Sequence, residues 1–138
     1  MAQTVSEVMT ANPVTAESTQ TIEDVAQRMR EANTGAIIVL DNGRVAGIAT
    51  DRDIVVRAVA DGKGPDTPVR EVCSAAVETV GPDYSVDQVV QLMRDRAIRR
   101  IPVVQNDRAV GIVSIGDLAM ERDSGSALAD ISAAPPNT

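Results

Sequence analysis

Two short stretches of the chain place a hydroxyl three residues before a carboxylate. The first is RVAGIATDRDI, Arg44 to Ile54, with Thr50 and Asp53. The second is RAVGIVSIGDL, Arg108 to Leu118, with Ser114 and Asp117. At the start of a helix this spacing supports two kinds of chemistry. It is the pattern of a capping box, in which hydroxyl and acid satisfy free backbone N–H groups reciprocally. It also sets a carboxylate beside the free N–H groups and positive dipole end of a helix, a combination that suits phosphate. A carboxylate there can accept two hydrogen bonds from the vicinal hydroxyls of a ribose, so hydroxyl, helix start and acid together fit a ribose phosphate. The two roles are compatible, and both stay open on local sequence. Other chemistry is scarce. The chain has no His and a single Cys, Cys73. A histidine-based triad and a zinc site are nearly excluded, and a disulfide within the chain is impossible. Cys73 has no base to activate it and is expected to be a small buried hydrophobe. The expectation is no catalytic residue and no metal.

The two stretches belong to a longer duplication. At an offset of 64 residues, Val5 meets Val69, Val25 meets Val89, Met29 meets Met93, Gly47 meets Gly111 and Asp53 meets Asp117. One offset that holds without gaps from Val5 to Asp53 indicates a repeat. A unit of about 60 residues buries too little surface to be comfortably stable alone, so the copies are expected to pack together. Thr21 reads as a helix N-cap before Ile22, Val25, Ala26 and Met29, which recur at helical spacing. Ser85 plays the same part before Val86, Val89, Val90 and Met93. These stripes are expected to face the core. Short β-rich runs follow, AIIVL and IPVV, and Asn42-Gly43 marks a hairpin turn. Further strands are expected at Val45 to Ala49 and Ala109 to Val113, with second helices beginning near Asp51 and near Gly116 and running over Asp51 to Ala60 and Leu118 to Arg122. Weaker strand signals lie around Val14-Thr15 and Glu78 to Val80. The class is α/β (α+β), with two tandem copies of β-α-β-β-α. The boundaries are 1–62 for the first repeat, 63–68 for a Gly- and Pro-containing linker, 69–124 for the second repeat and 125–138 for a flexible tail.

The bulk properties narrow the partners. The 138 residues carry a formal net charge of −7, which argues against nucleic acid and anionic membranes as partners. The hydrophobic fraction of 43% suffices for a core, but with no Phe, no Trp and one Tyr it must be aliphatic. The opening MAQTVSEVMT has no basic start and no apolar run of signal length, and AIIVL is too short to span a membrane. A cytoplasmic location is the expectation.

The sequence resembles the tandem CBS-domain proteins, the family named after cystathionine β-synthase. The likeness runs from about Val5 to Asp123. It rests on GIATDRDI and GIVSIGDL as the strand-to-helix motif, on VRAVADG after the first, and on IRRIPVV before the last hairpin. In overall form the chain resembles stand-alone bacterial pairs of the hypoxic-response and stress type. The resemblance implies two repeats packed about a pseudo-twofold axis, with adenosine-containing ligands held in clefts between them and a homodimer of such pairs. It implies that the motif Asp holds ribose hydroxyls, that the Ser or Thr touches phosphate, and that residues of the other repeat surround the base.

Carried over by position, one cleft would use Ser114 and Asp117 with Thr34, Gly35, Ala36, Asn12, Pro13 and Val14. The other would use Thr50 and Asp53 with Ile98, Arg99, Arg100, Ala76 and Val77, and Arg52 could add a cation. Arg99 and Arg100 stand where the family often places phosphate-binding cations, although a solvated strand start is the plainer account of the pair. The copies are not equivalent, since Gly35-Ala36 occupies the place of Arg99-Arg100. Asp51 adds a negative charge near the Asp53 site, and Gly116 loosens the helix start before Asp117. Only Tyr84 is available to stack on adenine, so modest affinity is expected. The resulting reading is a non-catalytic regulatory or sensor module for an adenine nucleotide (AMP, ADP or ATP) with no required cofactor and an unknown regulated protein. S-adenosylmethionine or NAD(H) in the same fold is the first alternative. A ligand-free dimerisation or partner-docking protein, marked by exposed apolar helix faces, is the second.

Overall fold

The computed structural model describes residues 4–75 and 78–122. In chain order its elements are α1 (Val5–Val8), β1 (Thr10–Ala11), β2 (Thr15–Glu17), α2 (Ile22–Ala32), β3 (Ala36–Asp41), β4 (Arg44–Thr50), α3 (Asp51–Ile54), β5 (Ser74–Ala75), α4 (Val86–Arg96), β6 (Arg100–Gln105), β7 (Arg108–Ser114) and α5 (Ile115–Arg122). A π-helical turn over Val55–Val59 continues α3, and a 3₁₀ turn spans Val69–Glu71. The elements divide between two compact units. Residues 13–75 lie in one, and residues 4–12 together with 78–122 lie in the other. The expected tail, 125–138, lies outside the described residues, as do Ala76 and Val77.

In the unit of residues 13–75, β3 and β4 form an antiparallel hairpin registered from Ala36 opposite Thr50 to Asp41 opposite Arg44. Its turn is the Asn42-Gly43 pair, with φ of 53° and 83°, the left-handed pair that suits the twist of a two-residue hairpin. β2 joins β3 in parallel and β5 joins β4 antiparallel, giving the order β2-β3-β4-β5. Thr21 Oγ1 accepts from Asp24 N at 3.1 Å at the start of α2, and Asn33 closes the helix in the left-handed conformation. Ile22, Val25 and Met29 are buried against Ile37, Val39 and Ala49, and Val69 and Val72 complete this core. Ala26 departs from its expected place and is exposed, because the Ile22-Val25-Met29 column already fills the buried face.

The unit of residues 4–12 and 78–122 repeats the plan with a different join. β6 and β7 form the hairpin, turning through Asn106 and Asp107 at φ of 53° and 62°. β1 pairs antiparallel with β7. The expected strand at Glu78 to Val80 reduces to one parallel bridge between Val80 and Val103. Ser85 caps α4, whose Val86, Val89 and Met93 are buried with Ile101, Val103 and Val113, while Val90 is only half-buried. Val5 belongs to this core, and its N–H donates to Tyr84 O at 2.8 Å.

The leading segments are therefore exchanged relative to the repeat boundaries drawn from sequence. Residues 4–12 build onto the second copy, and residues 69–75 onto the first. The anchoring is backbone hydrogen bonding, with Val69 N to Gln20 O at 2.7 Å and Arg70 N to Ser18 O at 3.1 Å. The Gly/Pro-containing segment between the copies also has a structural role. Ile22 N donates to Thr67 O and Glu23 N to Pro65 O, so this segment covers free donors at the start of α2.

The second helices differ from expectation as well. The continuous helix expected over Asp51 to Ala60 is α-helical only as far as Ile54, after which the chain widens into the π-helical turn. The second copy starts its helix at Ile115, one residue from the start expected near Gly116, because the capping pair begins it directly after Ser114.

Candidate functional site

Each hydroxyl–acid motif sits where a core strand runs out and a helix begins. At the end of β4, Thr50 has extended backbone, φ −113° and ψ 163°. Its N–H donates to Asp53 Oδ2 at 2.9 Å, and its Oγ1 accepts from Asp53 N at 3.1 Å. At the end of β7, Ser114 N donates to Asp117 Oδ2 at 2.9 Å and Ser114 Oγ accepts from Asp117 N at 3.2 Å. Both motifs are thus reciprocal caps, and the capping chemistry read from sequence is present.

The caps leave identifiable capacity. Both hydrogen bonds accepted by the Asp117 carboxylate, from Ser114 N and from Ser114 Oγ at 3.1 Å, converge on Oδ2. Asp117 Oδ1 has no hydrogen bond among the described residues. Asp53 uses Oδ2 for the cap, while its Oδ1 lies 3.8 Å from Arg57 Nε, and the Asp53 side chain is only 14% exposed. Arg57 also reaches Val72 O from Nη1 at 3.4 Å.

Each motif is tied to the start of the neighbouring strand in its own unit. Asp51 N donates to Gly35 O at 3.0 Å, and Ala36 pairs with Thr50. Ile115 N donates to Arg99 O at 2.9 Å, and Arg100 pairs with Ser114. The sequence-predicted residues therefore gather in two groups, Thr34, Gly35 and Ala36 with Thr50 and Asp53, and Ile98, Arg99 and Arg100 with Ser114 and Asp117. Thr34 Oγ1 is spent locally on Ala36 O at 3.1 Å. Arg52, Arg99 and Arg100 are exposed and have no ion pair among the described residues. Asn12, in the left-handed conformation, donates to Val110 O at 3.3 Å and belongs to the unit of residues 78–122. Pro13 and Val14 belong to the other unit, where Val14 packs on the core and accepts from Ile38 N at 3.0 Å. Ala76 and Val77 lie outside the described residues.

The two groups differ in charge. An atom added at the Cβ position of Gly35 would lie 3.0 Å from Asp51 Oδ2, so a carboxylate covers that strand start. In the other copy, Arg99 and Ile115 occupy the positions equivalent to Gly35 and Asp51. Sequence reading did not foresee what results there, a pocket of about 500 Å³ between α4 and α5. Val90, Met93, Ala97 and Ile98 form one side, Ile115, Leu118 and Ala119 the other, and Arg94 and Arg99 supply its cations. The signal was available in the repeat, since Ala26, Asn33, Thr34 and Asp51 of the first copy become Val90, Ala97, Ile98 and Ile115.

Cys73 is half-buried rather than buried. Its Sγ lies over Gly47, as the Met9 sulfur lies over Gly111. Burial pushes its thiol above the ordinary value, and the nearby Asp53 carboxylate adds to the effect. Among the described residues no group of three or more His, Cys, Asp or Glu side chains could hold a metal ion, and no helix is long and apolar enough to cross a membrane.

The CBS-domain family model matches residues 5–59 and 69–123, and the chain belongs to that family. The CBS domain-containing protein YhcV of Bacillus subtilis is 42% identical over 132 residues, covering 93% of this chain and 94% of its own. A crystal structure of Hypoxic Response Protein I with two coordinated zinc ions is 34% identical, with a TM-score of 0.75 over 84% of this chain and 96% of that one. The CBS domain pair of protein MJ0100, in complex with 5′-methylthioadenosine and S-adenosylmethionine, is 30% identical, with a TM-score of 0.75 over 86% and 98%.

Proposed function

We propose that the chain is a non-catalytic, homodimeric, cytoplasmic sensor that binds an adenine nucleotide, AMP, ADP or ATP. Asp53 and Asp117 take the ribose hydroxyls, and Thr50 and Ser114 meet the phosphate. Thr34, Gly35, Ala36, Ile98 and the Asn12, Pro13 and Val14 segment serve the base, with Ala76 and Val77 as further contacts. Arg52, Arg99 and Arg100 serve the phosphates. The carrying observation is the geometry of Asp117, whose cap converges on one carboxylate oxygen and leaves the other to accept. The three arginines, which have no ion pair among the described residues, favour a phosphorylated ligand. The methylthioadenosine and S-adenosylmethionine complex of the MJ0100 pair supports the adenosine class. The non-catalytic assignment is supported by the lack of His and by a Cys73 thiol whose pKa is raised, the reverse of nucleophile activation.

Calorimetric titration with AMP, ADP, ATP, NADH and S-adenosylmethionine tests the reading. The expected result is affinity that rises with phosphate count and falls with added salt. AMP binding as tightly as ATP, with no salt effect, would remove the arginines from the site. No heat from any of the five would end the adenosine reading itself.

A further inference from the structure

The two motifs share their backbone and differ in the charge set beside it. Asp51 N donates to Gly35 O at 3.0 Å and Ile115 N to Arg99 O at 2.9 Å, so the same strand start meets the same helix start in each unit. The side chains at these positions are unlike. Gly35, Ala36, Asp51 and Arg52 of the first copy become Arg99, Arg100, Ile115 and Gly116 of the second. Asp51 and Arg52 cancel in formal charge. Arg99 and Arg100 are exposed, with no ion pair among the described residues.

The Asp51 carboxylate is held over its strand start. Its Oδ1 accepts from Arg52 N at 2.8 Å, which fixes the group at the head of α3. Its Oδ2 has no hydrogen bond among the described residues and lies 3.0 Å from where a Cβ at Gly35 would stand. A carboxylate oxygen therefore covers the position at which the other copy carries Arg99. Of the neighbouring cations, Arg57 is engaged by Asp53 Oδ1 at 3.8 Å, which leaves Arg52 alone against Asp51.

We propose that Asp51 sets the phosphate preference of the Asp53 group, which takes a nucleoside monophosphate, while the Asp117 group takes the di- or triphosphate. The inference rests on the nucleotide reading above and assigns a ligand class to each motif. Thr50 and Arg52 suffice for one phosphate. Each further phosphate brings negative charge toward an unneutralised carboxylate oxygen, and like charges set together cost affinity. In the other unit Arg99 and Arg100 offer planar donor forks that match phosphate oxygens, and Ile115 adds no opposing charge. The rise of affinity with phosphate count expected for the whole chain then belongs to the Asp117 group.

Calorimetric titration of the full chain with AMP and ATP, one group at a time, tests it. In Asp117→Asn, which leaves Asp53 intact, AMP should bind roughly tenfold tighter than ATP, and added salt should narrow the gap. Adding Asp51→Asn, which keeps the size and the oxygen that accepts from Arg52 N, should bring ATP level with AMP. In Asp53→Asn, ATP should bind tighter than AMP, and Asp51→Asn should leave that ratio unchanged. Melting curves confirm folding, and Asp51→Ser replaces Asp51→Asn if the latter unfolds. ATP binding at least as tightly as AMP in Asp117→Asn, or a ratio there that Asp51→Asn does not move, overturns the role of Asp51 and leaves the nucleotide reading standing. No heat from AMP or ATP in wild type overturns both.

Discussion

Asp117→Asn separates the cap from the ribose clamp, because the two roles use different oxygens. The cap takes Oδ2, through Ser114 N at 2.9 Å and Ser114 Oγ at 3.1 Å. Asn keeps one oxygen for the stronger of these contacts and loses the charge that favours a helix start. That loss is worth about 0.3–1 kcal/mol. A shift of that size moves the melting temperature of a domain this small by a few degrees. The clamp, by contrast, asks the carboxylate to accept two ribose hydroxyls, each bond to a charged acceptor being worth about 1.5–3 kcal/mol. With one acceptor lost and the other neutral, affinity should fall by roughly tenfold or more, since about 1.4 kcal/mol is a decade. Asp53→Asn should have the smaller effect on binding, because Arg57 already competes for Asp53 Oδ1 at 3.8 Å. Paired melting and calorimetric titration of both single variants and the double variant are the assay. The double variant should lose ligand-induced stabilisation. A badly destabilised apo-protein with unchanged affinity in the folded fraction would show the motif to be a cap alone and refute the clamp.

Three further outcomes are expected. Ala97 ends α4 at φ 54°, a conformation that costs a side chain about 1–2 kcal/mol, so Ala97→Gly should raise the denaturant midpoint; a lower midpoint contradicts the strain. A Cβ at Gly47 would collide with the backbone oxygen of Ser74, whereas the closest atom at Gly111 is the flexible Met9 sulfur, so Gly47→Ala should cost about 1–3 kcal/mol and more than Gly111→Ala in the same unfolding titration. Because the folded Cys73 thiol titrates above its ordinary value, the stability it confers is complete below the ordinary 9.0 and is lost as pH rises through the higher folded value. Cys73→Ala should therefore flatten the alkaline decline in melting temperature, and identical alkaline slopes would contradict the shift.

What the sequence disclosed and what it hid follow from the range of each interaction. The hairpin turn at Asn42-Gly43, the cap at Thr21 and the reciprocal caps at both motifs depend on residues within three positions of each other, and each stood in the local pattern. Asn33 is a residue type that suits the left-handed helix end it adopts, while Ala97, its counterpart, adopts the same conformation without any compositional sign. The exchange of leading segments could not be read from the repeat. An offset of 64 residues shows that Val5 and Val69 are equivalent, but equivalence is silent on which copy each one packs against. The Gly47 and Gly111 contacts carry that information only once the partner is known, since Cys73 lies over the first and Met9 over the second. The pocket falls between these cases. Its lining residues were visible as apolar replacements within the repeat, yet their meaning needed the approach of α4 to α5. Differences between copies, more than their agreement, mark the places where a duplicated fold has acquired separate work. Here they put Arg99 and Ile115 where the first copy has Gly35 and Asp51, a basic apolar surface in one unit and an acidic one in the other.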